Sequence, residues 1–585
     1  MAALRTFIAI LALAARAHPA SVSVRADDEV TLNLEPQLTG GFQMVLTQGT
    51  KHWYAGPMQL DQQYPLEKAE QRYAPCFSKE NDNGAITERY WLNSAGEYIY
   101  VHGQVPLFLD YNNLLSNHIC FGAQIADPYS SSRTHNELAY DIWFLSDVKS
   151  AHQHAVENYL GKPTGVPDYR MVQHPIWSTW AQYSRDIDET KLLDFANDIK
   201  DNGFNNSQFE IDDLWEICYG SLTVDVRKFP NLTQTVQDIK ALGYRVTIWV
   251  HPFINKDCDP CPDTSWWNNN GSIPGYVDFT NSEAAEWWYQ RVKHIIDTYD
   301  IDSLKFDAGE SSFSPQIAVQ NGSIDLQPHH IVEAYVRTCA RFGDMIEVRT
   351  GFRTQDLPVF VRMVDRDSIW GLNNGLSTII TTTIQMNLNG YTLVLPDMIG
   401  GNGFNLDHEQ SALPTKELFI RWVQANTFLP AMQYSYVPWN FDNETVEISR
   451  KYTELHAAYA DEIYAAMEAS VKDGSPVIAP LWWLDPHDNE TLLIWDEFVL
   501  GENILVAPVL EENARSRDIY LPTGTWLEAG DPEKAHAGPG WIRSHPAPLD
   551  VLPYFVREVP THNNAGTTGV AAVLMLFGLL ANFVL

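Results

Sequence analysis

The sequence predicts an α/β protein, with an eight-stranded (β/α) barrel flanked by an N-terminal β-sandwich and a C-terminal β domain. Between residues 166 and 474, short apolar stretches alternate with amphipathic helices, which is typical of a parallel α/β fold. On either side, in residues 21–165 and 475–560, short stretches of alternating hydrophobicity are separated by Asn, Gly and Pro. The 585-residue chain has room for about three or four domains.

The first 17 residues have the form of a secretory signal peptide. Arg5 is followed by an apolar run from Phe7 to Ala15 and by the small-residue site Ala15-Arg16-Ala17. The apolar run is too short to cross a membrane. Six Asn-X-Ser/Thr triplets agree with passage through the secretory pathway: Asn205, Asn231, Asn270, Asn321, Asn443 and Asn489.

The last 25 residues, 561–585, resemble a signal for a glycosylphosphatidylinositol (GPI) anchor. Gly569 to Leu585 is apolar apart from Asn582, and the small and polar stretch Asn563 to Thr568 precedes it. The spacer is shorter than usual, so a single membrane-spanning helix remains the alternative. We therefore expect the protein either to be attached to the extracellular face of the plasma membrane or to be secreted. The sequence carries no signal for an oligomeric state.

The cysteines fit an oxidising compartment, where disulfides are more common than metal sites. Cys76 and Cys120 are the only cysteines in the predicted β-sandwich, and we expect them to pair. Cys258 and Cys261 have the spacing of metal ligands, but no second pair or nearby His follows, which argues against zinc. No metal or organic cofactor is predicted.

The central region predicts its elements in order. A strand ending at Trp177 is followed by strands at Ser207–Ile211, Arg245–Val250, Ile301–Phe306, Met345–Arg349, near Thr378 and at Tyr391–Leu395. Helices are predicted from Asp188, from Val236 to Leu242, from Ala285 to Ile296 and from Pro328 to Phe342. A doubly wound sheet is the alternative, but no Gly-rich dinucleotide loop follows the first strand. The C-terminal region predicts strands at Thr491–Ile494, Ile504–Val509 and Asp518–Leu521.

The residues at the predicted strand ends indicate a sugar site, because the carboxyl ends of barrel strands meet at one mouth. In chain order they are Trp177, Trp180, Asp212, Asp213, His251, Asp307, Arg349, Asp365, Asp367 and Asp397. Two carboxylates beside a neutral polyol are what retaining glycoside hydrolysis requires. The net charge of −35 argues against nucleic acid and anionic membranes as partners. A carbohydrate fits better, since Trp and Tyr offer flat faces for sugar rings.

Three ordered motifs resemble glycoside hydrolase family 31, especially its α-galactosidase-like group: residues 305–310 around Asp307, residues 363–371 around Asp365, and residues 396–401 around Asp397. The resemblance implies that Asp307 is the nucleophile and Asp365 the general acid/base, with Asp367 as the competing choice. It also implies that Arg349 and Asp212 bind substrate. The family's α-glucosidases have Asp and His where this chain has His251 and Ser435, which argues against simple transfer of glucose specificity. The resemblance itself favours α-galactosides over α-glucosides as substrates.

Each site residue also has a structural interpretation. Trp177 and Trp180 are more often core residues than stacking platforms, and His251 is more often a hydrogen-bonded neutral side chain. The structural interpretation of Arg349 is an ion pair with an interior carboxylate, and that of Asp212 and Asp213 is a helix cap and a solvated neighbour. Lys305 lies on the same strand face as Asp307 and is expected to lower its pKa. A non-catalytic sugar-binding or receptor protein and a transglycosidase are the alternative functions.

Overall fold

The computed structural model describes residues 22–24, 42–80, 84–255, 275–314, 317, 319–404 and 413–558. The predicted signal peptide and C-terminal tail, with Cys258, Cys261 and Asn270, lie outside these described residues. The described residues form two N-terminal sheets, a parallel barrel with surrounding helices, and a six-stranded C-terminal sheet. The predicted fold class is confirmed.

The N-terminal unit has nine strands. They are β1 (Val22–Val24), β2 (Phe42–Thr47), β3 (Trp53–Ala55), β4 (Gln71–Pro75), β5 (Tyr90–Asn93), β6 (Glu97–Val101), β7 (Leu107–Tyr111), β8 (His118–Ala123) and β9 (Tyr140–Phe144). One sheet has the order β1-β9-β6-β5-β3 and the other β2-β8-β7-β4. Side chains of both sheets form one buried core, in which the rings of Trp91 and Phe121 meet edge-on at 4.7 Å.

The predicted disulfide between Cys76 and Cys120 is wrong, because both are free and buried in the structure. Cys76 follows β4 and Cys120 lies in β8, and β7 separates these two strands in the sheet. Two strand spacings are about 9.5 Å, beyond the roughly 7 Å between Cα atoms that a disulfide tolerates. Cys218, in the central region, is disulfide-bonded.

The barrel has eight parallel strands whose chain order is their order around the barrel. They are β10 (Ile176–Ser178), β11 (Gln208–Ile211), β12 (Val246–Val250), β13 (Ser303–Phe306), β14 (Glu347–Val348), β15 (Phe360–Arg362), β16 (Val394–Leu395) and β17 (Gln433–Tyr434). β17 pairs with β10, and a parallel bridge between Met398 and Gln433 joins the seventh strand to the eighth. All eight carboxyl ends therefore face one mouth.

Helices surround the barrel and precede it. They are α1 (Val148–Ala155), α2 (Tyr169–Gln173), α3 (Trp180–Tyr183), α4 (Glu189–Asp201), α5 (Leu232–Ala241), α6 (Ser282–Tyr299), α7 (His330–Cys339), α8 (Leu376–Leu388), α9 (Lys416–Asn426), α10 (Asn443–Ala458) and α11 (Ala460–Asp473). Asp188 and Asn231 cap α4 and α5 by accepting a backbone N–H three residues on. In the parts of the chain that the structure describes, no helix has the length and apolar character to cross a membrane.

The strand predicted near Thr378 is wrong, because Thr378 lies in α8. The β-branched run Thr378–Ile384 favours a strand by local propensity. However, every residue of α8 is buried, so packing on all sides replaces the one-sided apolar stripe from which a helix is usually recognised.

The C-terminal unit is an antiparallel sheet of order β18-β19-β20-β23-β21-β22. Its strands are β18 (Ile478–Ala479), β19 (Phe498–Leu500), β20 (Ile504–Val506), β21 (Ser516–Glu528), β22 (Asp531–Pro546) and β23 (Tyr554–Arg557). Thr491–Ile494, predicted as a strand, forms turns instead, and the N–H of Leu493 donates to the carbonyl of Glu490.

Candidate active site

Asp307 directly follows the last residue of β13. Its buried carboxylate lies with Oδ1 2.7 Å from Arg362 Nη2, and Oδ2 accepts a hydrogen bond of 3.0 Å from Trp249 Nε1. Burial raises the pKa of Asp307, but the charges of Arg349, Arg362 and Lys305 outweigh it and hold this pKa well below the usual range. Asp307 is therefore held as a carboxylate, the form that a nucleophile requires.

The turn after Asp307 fixes its backbone. Ala308 and Gly309 both have positive φ, +54° and +100°. A Cβ on Gly309 would lie 2.5 Å from the ring of Tyr335, so only glycine fits. The Tyr335 hydroxyl donates to the Asp307 carbonyl at 2.9 Å, which ties the turn to α7.

Arg349, at the end of β14, contacts several carboxylates. Nε and Nη2 donate to the two oxygens of Glu310 at 2.9 and 3.2 Å. Nε is also 3.3 Å from Asp307 Oδ1, and Nη1 is 3.7 Å from Asp365 Oδ1. The structural interpretation of Arg349 as an ion-pair partner is thus confirmed, and the same ion pairs place it between the two predicted catalytic carboxylates. Its contact with substrate stays a prediction.

Asp365 and Asp367 differ in their surroundings. The Asp365 side chain is 23 % exposed, and its Oδ1 lies 3.0 Å from Arg362 Nη1. Asp367 is buried, 3 % exposed, and its backbone N–H donates to the carbonyl of Asn374. The more open position of Asp365, next to the arginine that also pairs with Asp307, is consistent with its predicted role as proton donor.

Below Asp307, the barrel interior is charged rather than filled with the usual branched apolar residues. Lys305 Nζ lies 2.8 Å from Asp212 Oδ2 and 3.6 Å from Glu210 Oε2. Burial lowers the pKa of Lys305, but these two carboxylates outweigh it and raise that pKa above its usual value. Gln433 Nε2 donates to Glu210 at 2.9 Å and to Glu347 at 3.3 Å. Burial raises the pKa of both glutamates. Lys305 thus lowers the pKa of Asp307, as predicted, while bonded to Asp212.

Asp212 and Asp213 lie at the end of β11. Asp212 accepts hydrogen bonds from Ser178, Lys305 and the N–H of Asp213, so both of its oxygens already have partners. Asp213 is not a solvated neighbour, because it is 1 % exposed. Its Oδ2 accepts a hydrogen bond from Tyr219, and its buried Oδ1 has no hydrogen-bond partner in the described ranges. Burial first, and then the charge of Asp212, raise the pKa of Asp213 well above its usual value.

His251, at the end of β12, has both ring nitrogens in use. Nδ1 accepts the N–H of Phe253 at 3.1 Å, so the proton is on Nε2, which donates to Glu216 at 2.9 Å. His251 is therefore the hydrogen-bonded neutral side chain of the structural interpretation, and a contact with sugar stays a prediction.

The two predicted tryptophans lie in different layers. Trp177 is fully buried, and its ring stacks on Tyr434 at 4.7 Å and packs against Phe195 and Phe204 outside the barrel. Trp177 is thus not an exposed stacking platform, and this prediction is wrong. Trp180, the first residue of α3, lies next to the mouth and is 7 % exposed, so its platform role stays a prediction.

A loop of the N-terminal unit adds Glu80 to the mouth. Glu80 Oε1 lies 3.7 Å from Arg349 Nη1, and the side chain is 28 % exposed. The loop is anchored to the barrel because Thr350 bonds to the hydroxyl of Ser78 and donates to the carbonyl of Ala85. Desolvation raises the pKa of Glu80 to about 7, despite the opposing charge of Arg349.

Sequence reasoning missed Arg362, Asp213 as a buried group, and Glu80. Arg362 did carry a signal, because a lone arginine in the apolar run Val359–Val364 has to be paired when the strand is buried. Glu80 carried none, since it lies in another unit of the chain. Among the described residues, no three or more His, Cys, Asp or Glu side chains are grouped to hold a metal ion.

An eight-stranded parallel barrel with carboxylates at its mouth is an arrangement that glycoside hydrolysis can use. Residues 171–466 match the TIM-barrel domain of glycosyl hydrolases family 31, and residues 474–559 match the family's C-terminal domain. The chain therefore belongs to glycoside hydrolase family 31.

Two relatives and one solved structure show the extent of the similarity. Mouse (Mus musculus) myogenesis-regulating glycosidase is 34 % identical over 544 residues, which cover 88 % of this chain and 75 % of that protein. The SITS-binding protein of Tetronarce californica is 28 % identical over 567 residues, covering 90 % and 77 %. The structure of the cycloalternan-degrading enzyme from Trueperella pyogenes, in complex with cycloalternan, superposes with a TM-score of 0.72 at 17 % identity, covering 89 % of this chain and 78 % of that one.

Proposed function

We propose that the protein is a retaining α-glycosidase that removes terminal α-linked sugars, with α-galactosides preferred over α-glucosides. One observation carries the proposal. A buried carboxylate, Asp307, is kept charged by arginines, and the more open carboxyl group of Asp365 shares those arginines. A protein that only binds sugar has no need of an ionised carboxylate at this position.

In the proposed mechanism, an oxygen of Asp307 attacks the anomeric carbon while Asp365 gives its proton to the leaving oxygen. A covalent glycosyl-enzyme forms on Asp307. Asp365, now a carboxylate, takes a proton from water as the water attacks the same carbon, and the sugar leaves with its original configuration.

The substrate preference rests on the resemblance to the α-galactosidase-like group and on two departures from the α-glucosidase pattern. His251 is bonded to Glu216, and Ser435 Oγ accepts the N–H of Gln182. His251 and Ser435, which replace the family's Asp and His, therefore form hydrogen bonds within the protein. This supports a sugar-binding site that differs from that of the α-glucosidases.

A non-catalytic sugar-binding or receptor protein is the second candidate, because one relative, the SITS-binding protein, is named for binding a ligand and not for cleaving a glycoside. A transglycosidase would use the same covalent intermediate with a sugar as acceptor. Product analysis at high acceptor concentration separates transfer from hydrolysis.

We further propose that the protein is a glycoprotein of the secretory pathway that is tethered to the outer membrane surface by its tail. Five of the six predicted acceptor asparagines are described, and all five are exposed: Asn205, Asn231, Asn321, Asn443 and Asn489. A mobility shift with peptide N-glycosidase tests the glycans, and release from cells by a phosphatidylinositol-specific phospholipase tests the GPI anchor.

The deciding experiment is hydrolysis of chromogenic α-galactoside and α-glucoside by the wild-type protein beside Asp307→Asn. Turnover by the wild type and none by a folded variant supports the proposal, and the faster substrate gives the sugar class. If neither substrate is cleaved while a sugar raises the melting temperature, the binding protein is the better description.

A further inference from the structure

Arg362 touches both predicted catalytic carboxylates. Its Nη2 lies 2.7 Å from Asp307 Oδ1, and its Nη1 lies 3.0 Å from Asp365 Oδ1. Arg349 approaches the same two oxygens only at 3.3 and 3.7 Å, and it donates to Glu310 as well. Arg362 is therefore the shorter link between the two groups.

The guanidinium of Arg362 is fixed by other partners. Nη1 also donates to Asp397 Oδ1 at 2.9 Å, and Nε lies 3.3 Å from Glu347 Oε1. Asp397 is itself held, because its Oδ2 accepts bonds from the N–H of Arg366 and the amide of Asn402. Arg362 is 2 % exposed, so it is placed to serve carboxylates rather than to reach a sugar.

The proposed double displacement moves one negative charge between the two carboxylates. Before the first step, Asp307 is charged and Asp365 is protonated. When the bond from Asp307 to the anomeric carbon forms and the glycosidic bond breaks, the Asp365 proton goes to the leaving oxygen. Asp307 is then a neutral ester and Asp365 is charged. In the second step, water gives a proton to Asp365, its oxygen bonds to the anomeric carbon, and Asp307 takes back the electron pair.

We propose that Arg362 is a charge-sharing residue that pairs with Asp307 before the first step and with Asp365 in the glycosyl-enzyme, without moving. This inference rests on the proposed function. A guanidinium suits the task, because its rigid planar fork presents separate N–H groups to two oxygens at once. Arg362 consequently stabilises the charged carboxylate in both halves of the reaction.

The test uses the full chain with Arg362→Gln and Arg362→Lys, and aryl α-galactosides and aryl α-glucosides whose phenol oxygen takes the Asp365 proton as it leaves. Rapid-quench measurement of the phenol burst gives separate rate constants for formation and hydrolysis of the glycosyl-enzyme. Arg362→Gln is expected to lower both rate constants by about 10- to 1,000-fold, the usual loss when a charge-stabilising donor is removed. Arg362→Lys, which keeps the charge, is expected to recover part of both.

The inference is overturned if Arg362→Gln lowers only one of the two rate constants or neither. It is also overturned if Arg362→Lys recovers part of only one rate constant or of neither. If Arg362→Gln does not fold, the lysine variant is compared directly with wild type, and unequal losses in the two steps overturn it. Arg421→Lys is the matched control, since Arg421 in α9 is equally buried but bonds to Gln424 and to the carbonyl of Ala547. It is expected to lower the melting temperature while both rate constants stay within about twofold.

A wild type that cleaves no substrate overturns the proposed function and this role with it, whereas an active wild type with a one-step effect overturns only the role of Arg362.

Discussion

At the ends of β13, β14 and β15, carboxylates lie against arginines, whereas Asp213 and Glu216, which follow β11, lie against a hydroxyl and an imidazole group. Asp307 is 2.7 Å from Arg362, and its pKa is held low. Asp213 accepts a hydrogen bond from the Tyr219 hydroxyl, and its pKa is raised well above its usual value. Both residues are buried, so burial alone does not decide which form is present.

The difference shows how the two sides of the barrel mouth can serve two different tasks. Charge is held where the proposed mechanism has its nucleophile and its proton donor. On the other side, burial raises the pKa of Asp213 and so favours its protonated form, which can both donate and accept hydrogen bonds. We therefore expect substitutions on the arginine side to affect the chemical steps, and those on the β11–β12 side to affect affinity and stability.

The largest effect is expected for Asp307→Ala, which removes the nucleophile. Turnover of an aryl α-galactoside should fall by at least about a thousandfold while the protein stays folded. Added azide should restore turnover and give a β-glycosyl azide, because the small anion attacks from the face that the carboxylate occupied. Circular dichroism checks the fold, and NMR identifies the azide product. An α-glycosyl azide would contradict the assignment of Asp307.

The position of Asp307 at the mouth was predictable from the sequence, because Asp307 follows an apolar strand and precedes a Gly turn, a local pattern. The position of Trp177 at a strand end was predictable, and its core role is the one that buried tryptophans usually have, so only its inclusion in the sugar site was wrong. Ser178, its neighbour in β10, points inwards to Asp212, so alternation turns Trp177 outwards into the layer of helices. The pairing of Arg362 with Asp307 was not predictable, since the two are 55 positions apart and only closure of the barrel brings them together.

The next largest effect is expected for Asp365→Asn, and it decides whether Asp365 or Asp367 is the proton donor. Asp365→Asn should lower kcat/KM for a poor leaving group such as phenyl by about 100- to 10,000-fold, since general acid catalysis is lost. With α-galactosyl fluoride, which needs no proton, formation of the glycosyl-enzyme should be far less affected.

Asp367→Asn is the matched control for Asp365→Asn, two residues further along the same loop. It should show no such dependence on the leaving group. The reverse pattern in the leaving-group series would make Asp367 the proton donor and Asp365 its neighbour.

A smaller effect is expected for Glu80→Gln, and it depends on pH. The pKa of Glu80 is raised to about 7, so the wild type gains a negative charge in the mouth as the pH rises through 7. That charge stabilises a cation-like transition state by about 1 kcal/mol, roughly fivefold. We expect kcat/KM of the variant to equal that of wild type at pH 5.5 and to be several-fold lower at pH 8. A ratio that is constant with pH would show that Glu80 does not titrate beside the substrate.

The smallest effect concerns Asp213 and is read as stability rather than activity. The pKa of Asp213 is raised in the folded protein, so its stabilising contribution is complete below the usual carboxyl pKa and is lost as the pH rises through the raised value. Asp213→Asn cannot ionise, so between pH 5 and pH 8 its melting temperature should fall by about 2–4 °C less than that of wild type. Asp212→Asn is the matched neighbour. Because it removes the 2.8 Å partner of Lys305, it should lower the melting temperature at both pH values. If the two variants gave the same pH dependence, the contrast between the hydroxyl-bonded and the cation-bonded carboxylate would not hold.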